Sequence, residues 1–60
     1  MTNSIAYSNA LRTIAAAYKK GIELNFRNGE VTKKGNIVTT IKVTDAGVIN
    51  LAVAIKAGII

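Results

Sequence analysis

Apolar residues recur at spacings of three and four in the first third of the chain, at Tyr7, Ala10, Leu11, Ile14, Ala17 and Tyr18. On a helix of about 3.6 residues per turn, these positions form one stripe. The pattern predicts an amphipathic helix over residues 4–20 that ends before Gly21. Side-chain oxygens suited to an N-cap stand at its start, at Thr2, Asn3 and Ser4. The two tyrosines are interpreted as core residues, with base stacking as the alternative.

Strict alternation follows the helix, where Ile22, Leu24 and Phe26 alternate with Glu23, Asn25 and Arg27. A period of two predicts a strand over residues 22–27 that buries the apolar set, including Phe26. Asn28-Gly29 suits a two-residue type I′ turn into a second strand over residues 30–33. That turn pairs Arg27 with Glu30 and Glu23 with Lys34 across the strands. Lys34-Gly35-Asn36 is the predicted exit turn.

The C-terminal half is predicted to form a second hairpin. Asp45-Ala46-Gly47 matches a three-residue loop with glycine in the left-handed position. This turn predicts strands over residues 37–44 and 48–57, with Ile41 opposite Leu51. A helix from Ala46 to Ala57 is the alternative.

These elements predict an α+β fold in which an N-terminal amphipathic helix packs on a four-stranded antiparallel β-meander. Residues 1–60 form one small domain. The other face of the sheet is left open and is expected to display Asn25, Arg27, Lys42 and Lys56. The last strand forms a sheet edge with no proline and one charge, so it is expected to pair with another chain.

Composition indicates how so short a chain is stabilised. Half of the 60 residues are apolar, yet a core of this size rarely supplies more than about 3–5 kcal/mol. Cysteine and histidine are absent, which excludes disulfides and the usual zinc or haem ligands. We therefore expect no cofactor or metal, and oligomerisation is the remaining stabiliser.

The acidic residues number three, Glu23, Glu30 and Asp45, too few and too scattered for paired acid–base catalysis. Their strand positions assign Glu23 and Glu30 to ion pairs, and Asp45 belongs to its turn. Ser4 and Ser8 have no histidine to activate them. The sequence therefore predicts a protein that is not an enzyme.

The net charge of +5 is the feature that points to an anionic partner. The candidate polyanion contacts are all of the basic residues: Arg12, Lys19, Lys20, Arg27, Lys33, Lys34, Lys42 and Lys56. No nucleic-acid-binding motif accompanies them. The alternative interpretation is that lysine keeps a very apolar protein soluble.

The first residues carry no basic segment before the first apolar stretch, so we expect synthesis in the cytoplasm without a signal peptide. No run of 18 or more apolar residues is present for a membrane span. Incorporation into a virion is one setting in which such a small subunit would function.

The favoured hypothesis is a small, non-enzymatic structural or assembly subunit, of the virion or filament type, that forms a homo-oligomer or docks on a protein partner. Apolar surface and a free sheet edge make the contact, with candidate self-association residues Ala52, Val53, Ala54, Ile55, Ile59 and Ile60. The alternative is a basic, sequence-tolerant nucleic-acid-binding oligomer. A cationic membrane-active peptide is the second alternative, and a membrane is the least favoured partner.

Overall fold

A computed structural model describes residues 3–60 of the chain, with side chains from Ile5 onward. Two helices pack on one face of a three-stranded antiparallel sheet of strand order β1-β2-β3. The elements are α1 (Asn3–Ala17), a 3-10 turn (Tyr18–Lys20), β1 (Ile22–Leu24), β2 (Glu30–Lys33), β3 (Asn36–Thr40) and α2 (Asp45–Lys56). The α+β class is confirmed, whereas the prediction of a fourth strand is wrong.

Helix α1 buries the predicted stripe through Ala10, Ile14 and Ala17. Tyr18 does not follow them into the core and is 55% exposed. The chain tightens there from an α-helix into a 3-10 turn, and the smaller number of residues per turn rotates Tyr18 off the apolar stripe. The turn ends at Gly21, whose N–H donates to the carbonyl of Tyr18 at 3.0 Å. The proposed N-cap side chains lie outside the described ones.

The link between β1 and β2 is five residues long, not two. Two asparagine side chains organise it: Asn25 Oδ1 accepts from the Arg27 N–H at 2.8 Å, and Asn28 Oδ1 accepts from the Glu30 N–H at 3.0 Å. These local bonds replace the predicted type I′ turn.

The longer link shifts the strand register by two positions. Val31 therefore lies opposite Leu24, where the predicted register placed a lysine. Glu23 faces Thr32, so the predicted cross-strand pairs of Glu23 with Lys34 and of Arg27 with Glu30 are wrong. Phe26, expected in the core, lies in the link and is 48% exposed.

The turn between β2 and β3 lies where it was expected. Lys34 and Gly35 have φ angles of 52° and 87° and connect the paired residues Lys33 and Asn36. Two consecutive positive φ angles in a two-residue loop define a type I′ hairpin.

Strand β3 contains a bulge. Val31 pairs with Thr39 whereas Thr32 pairs with Ile37, so Val38 is the extra residue. Bulges re-aim side chains, and here Val38 faces the helix side of the sheet together with Thr39. No side chain of β3 is buried.

The segment predicted as the last strand is helix α2. Thr44 is its N-cap, with an extended backbone and an Oγ1 that accepts the Gly47 N–H at 3.1 Å. Gly47 thus lies in the first helical turn, not in a hairpin loop. Apolar spacing of three and four places Val48, Leu51 and Ala52 in the core. The segment forms a helix rather than a strand because the capped helix buries these side chains between α1 and the sheet.

Helix α2 ends in a hydrogen-bonded C-cap that directs the chain after it. The Ile59 N–H donates to the carbonyl of Ala54 at 3.0 Å, and the Gly58 N–H donates to that of Ile55 at 3.1 Å. With Gly58 at a φ of 75°, this is the Schellman motif. The motif turns the last two residues back beside the helix.

The core is small and lies where both helices meet β1 and β2. Its buried members are Ala10, Ile14, Ala17, Ile22, Leu24, Val31, Val48, Leu51 and Ala52. Two surface depressions lie between the helices, and in one of them the last residues of α1 and the 3-10 turn meet the end of α2. Among the described residues, no helix is long and apolar enough to cross a membrane.

Candidate functional sites

Four of the predicted self-association residues lie in α2 and two follow it, and the fold divides the set among different surroundings. Ala52 is buried in the core, and Val53 is exposed beside α1. Ile55 is half-buried at the α1–α2 junction. The remaining three lie together along a groove, as Ala54, Ile59 and Ile60. The segment offers no strand edge, because its backbone groups are used within α2.

The groove, of about 530 Å³, runs between β3 and α2. It exists because the helices cover β1 and β2 but leave the helix side of β3 open. The C-cap of α2 places the chain end along the groove. Its lining is largely apolar: Val38, Thr39, Ile41, Gly47, Asn50, Leu51, Ala54, Ile59 and Ile60. We call it the β3–α2 groove.

The sheet has two edge strands, β1 and β3, and β3 is the free edge next to the groove. Its neighbour on one side is β2, and no described strand lies on the other side. The Ile41 N–H donates to the carbonyl of Gly29 at 2.8 Å. Because backbone groups alternate in direction along a strand, the N–H of Thr40 points away from β2. Asn36–Thr40 carries no charged residue, so nothing of the usual kind blocks pairing along this edge.

Gly29 lets the start of β2 approach the end of β3 closely. Its φ is 76°, and a methyl group on its α-carbon would collide with the carbonyl oxygen of Ile41. This close contact with Gly29 holds the backbone of Ile41, the residue after Thr40, in place. It thereby fixes the direction in which the free edge presents its donors and acceptors.

The open face of the sheet is acidic where the sequence predicted a basic one. A depression on this face is lined by Glu23, Glu30 and Thr32 together with Leu24 and Asn25. Lys42 follows β3 outside the sheet, and Lys56 lies in α2. Among residues 3–60, no group of three or more acidic, histidine or cysteine side chains is placed to hold a metal.

Five lysines that are scattered in sequence meet at one end of the molecule. The Lys34 N–H donates to the carbonyl of Gly21 at 2.9 Å, which brings the β2–β3 turn against the 3-10 turn that contains Lys19 and Lys20. Lys20 and Lys56 line one depression at the ends of the two helices. All five side chains are exposed. We call the set the basic pole: Lys19, Lys20, Lys33, Lys34 and Lys56.

The other three predicted polyanion contacts lie elsewhere. Arg12 is on the outer side of α1, Arg27 is in the β1–β2 link, and Lys42 precedes α2. The basic pole thus holds five of the eight basic residues of the chain.

For the C-terminal segment the sequence favoured a strand, and the helix from Ala46 to Ala57 was the alternative. Helix α2 has a signal in the threonine three residues before Gly47 and in the spacing of Val48, Leu51 and Ile55. The basic pole has none, because it depends on which turns the fold brings together. The molecule belongs structurally to the α+β class, with two helices on one face of a three-stranded antiparallel sheet. Comparison with protein-family models, curated proteins and solved structures finds no match to the chain.

Proposed function

We propose that the protein is a small, non-enzymatic assembly subunit that associates with a second copy of itself through the edge of β3 and the β3–α2 groove. The observation that carries the proposal is an uncharged, unpaired sheet edge that adjoins a mainly apolar groove. Strand addition at such an edge supplies backbone hydrogen bonds, and the groove supplies apolar contacts.

A small core supports the need for a partner. Val31 and Val48 are the described core residues with no exposure, and three of the nine core residues are alanine. Large apolar side chains remain exposed, including Ile37 at 60% and Ile59 at 78%. Burial of apolar area contributes about 25 cal/mol per Å², so covering these residues would stabilise the fold.

A second copy of the chain is the favoured partner for the β3 edge, because both copies present the same edge. An antiparallel β3–β3 pair related by a two-fold axis places the same uncharged edge on both sides. The interface must also extend beyond the strand, since a stable one buries about 800 Å² per partner. That is roughly a fifth of the 4283 Å² surface of the chain. Val38 and Ile59 on the groove can contribute this further area.

Val38→Glu tests the proposal against a matched control. A carboxylate at Val38 places like charges near each other across the two-fold axis and adds a charge to the groove. We expect sedimentation velocity to show an oligomer for the native chain and a monomer for Val38→Glu. Val53→Glu adds the same charge at an exposed site on the other side of α2 and is expected to leave the oligomer intact.

Two outcomes of the sedimentation experiment would contradict the proposal. A native chain that sediments as a monomer up to millimolar concentration would exclude self-association as its function. An oligomer that survives Val38→Glu but is lost in Val53→Glu would move the interface to the α1–α2 side. Circular dichroism on both variants verifies that each is folded.

The alternative function, a sequence-tolerant nucleic-acid-binding oligomer, is favoured by one observation, the basic pole. The open sheet face, which was expected to display basic residues, carries Glu23 and Glu30. A membrane-active peptide has less support, because buried apolar residues of both helices form a common core with the sheet.

A further inference from the structure

We infer that the basic pole is a binding site for the phosphate backbone of nucleic acid, separate from the β3 edge. Three elements build it: the 3-10 turn after α1, the β2–β3 turn and the end of α2. The inference does not depend on self-association, because none of its lysines lines the β3–α2 groove.

The arrangement of the pole suits a polyanion. Lysines from separate elements surround the contact between Gly21 and Lys34, and the acidic residues lie in β1, at the start of β2 and at the start of α2. Sequence-independent nucleic-acid binding arises when clustered lysines neutralise successive phosphates and release counterions. Tyr18 lies in the same 3-10 turn and is 55% exposed, which suits stacking on an unpaired base.

Stabilisation of the helix ends explains some of the lysines of the basic pole, but not all of them. Both helices end near the pole, and lysines in a last turn complement the negative end of the helix dipole. That explanation covers Lys19, Lys20 and Lys56. It does not cover Lys33 and Lys34, which belong to a hairpin.

The backbone of Lys34 is the second argument for a functional charge. Its φ of 52° is a left-handed conformation in which asparagine or glycine is the preferred residue of a type I′ turn. The position therefore carries a lysine against its conformational preference. Residues held in such conformations concentrate at functional sites.

The aromatic residues favour nucleic acid over an anionic membrane. Interfacial binding of a membrane usually combines lysines with tryptophan or phenylalanine. The chain has no tryptophan, and its phenylalanine, Phe26, lies in the β1–β2 link at the other end of the sheet. The aromatic residue nearest the pole is a tyrosine.

Fluorescence anisotropy with a labelled 20-nucleotide poly(dT) strand, titrated at several salt concentrations, tests the site. We expect Lys20→Gln/Lys34→Gln to weaken binding at low salt by about tenfold and to lower the slope of log affinity against log salt by about 1.4, since each lost phosphate contact contributes about 0.7. Arg27→Gln/Lys42→Gln removes the same charge at the opposite end and is expected to change affinity by less than about twofold. A second pole variant, Lys19→Gln/Lys56→Gln, repeats the test if the first is unfolded.

Three results would overturn the inference. The first is no binding of the native chain to the oligonucleotide at 50 mM salt. The second is an equal loss of affinity in the pole and control variants, which would mean diffuse attraction by net charge. The third is binding to anionic phosphatidylserine vesicles without binding to the oligonucleotide. Repeating the titration on Val38→Glu separates the site from assembly, because the isolated protomer retains the whole pole.

Discussion

At the scale of single residues, Lys34 is the position where local stability and charge conflict most clearly. Type I′ turns prefer Asn-Gly, and the chain has Lys34-Gly35 there. The same turn bonds to Gly21 and so holds the 3-10 turn beside the sheet. Lys34 thus fits the turn conformation less well than asparagine would, and it lies at the centre of the basic pole.

Lys34→Asn should therefore raise stability and reduce polyanion binding together. A non-glycine residue in the left-handed region costs about 1–2 kcal/mol, and asparagine relieves part of this cost. We expect the free energy of unfolding in urea to rise by about 0.5–1 kcal/mol. Lys33→Asn changes a strand residue instead and should give no increase. Lower stability for Lys34→Asn would contradict the assigned turn type.

At the scale of elements, helix α2 decides the architecture. Its N-cap bond from Gly47 to Thr44 and its Schellman C-cap fix both ends. Between them, Val48, Leu51 and Ala52 complete the core above the sheet. If this segment were a strand, the β3–α2 groove would not exist and β3 would not be an edge.

Thr44→Ala tests the helix directly. Loss of an N-cap oxygen typically destabilises by about 1 kcal/mol. We expect that decrease in the free energy of unfolding, measured by urea denaturation. Thr44→Ser retains the oxygen and should remain close to the native value. In a hairpin this oxygen would cap nothing, so equal stability of the alanine and serine variants would contradict the helix.

The contrast between α1 and α2 shows what the sequence can predict of this fold. Helix α1 has a broad apolar stripe and a glycine stop, and its prediction is confirmed. In α2 the residues between Val48 and Ile55 satisfy both a period of two and a spacing of three and four. The strand propensity of valine and isoleucine favoured the period of two, which is the wrong pattern for this segment. Burial against α1 decides between them, and that information is tertiary.

The same limit applies to links and surfaces. Asn28-Gly29 matches a two-residue turn, but hydrogen bonds from Asn25 and Asn28 lengthen the link and shift the register. The shift leaves Glu23 and Glu30 on the open face without the basic cross-strand partners that were predicted for them. The sequence identified the lysines as candidates, whereas their convergence follows from the contact between two turns.

At the scale of the whole molecule, the two proposed surfaces lie on different parts of a protein of 35 × 20 × 16 Å. The β3 edge and its groove lie on the side that the helices leave uncovered. The basic pole lies where both helices end. An assembly formed through the edge would thus leave every pole free to contact nucleic acid.

Amide hydrogen exchange at Thr40, measured by NMR over a range of protein concentrations, tests the assembly most directly. The Thr40 N–H points away from β2, whereas the Ile41 N–H is bonded to Gly29 and serves as the internal control. Pairing of β3 with a second copy predicts that exchange at Thr40 slows toward that of Ile41 as the concentration rises. Fast exchange at Thr40 in a solution where light scattering shows an oligomer would contradict an interface at the β3 edge.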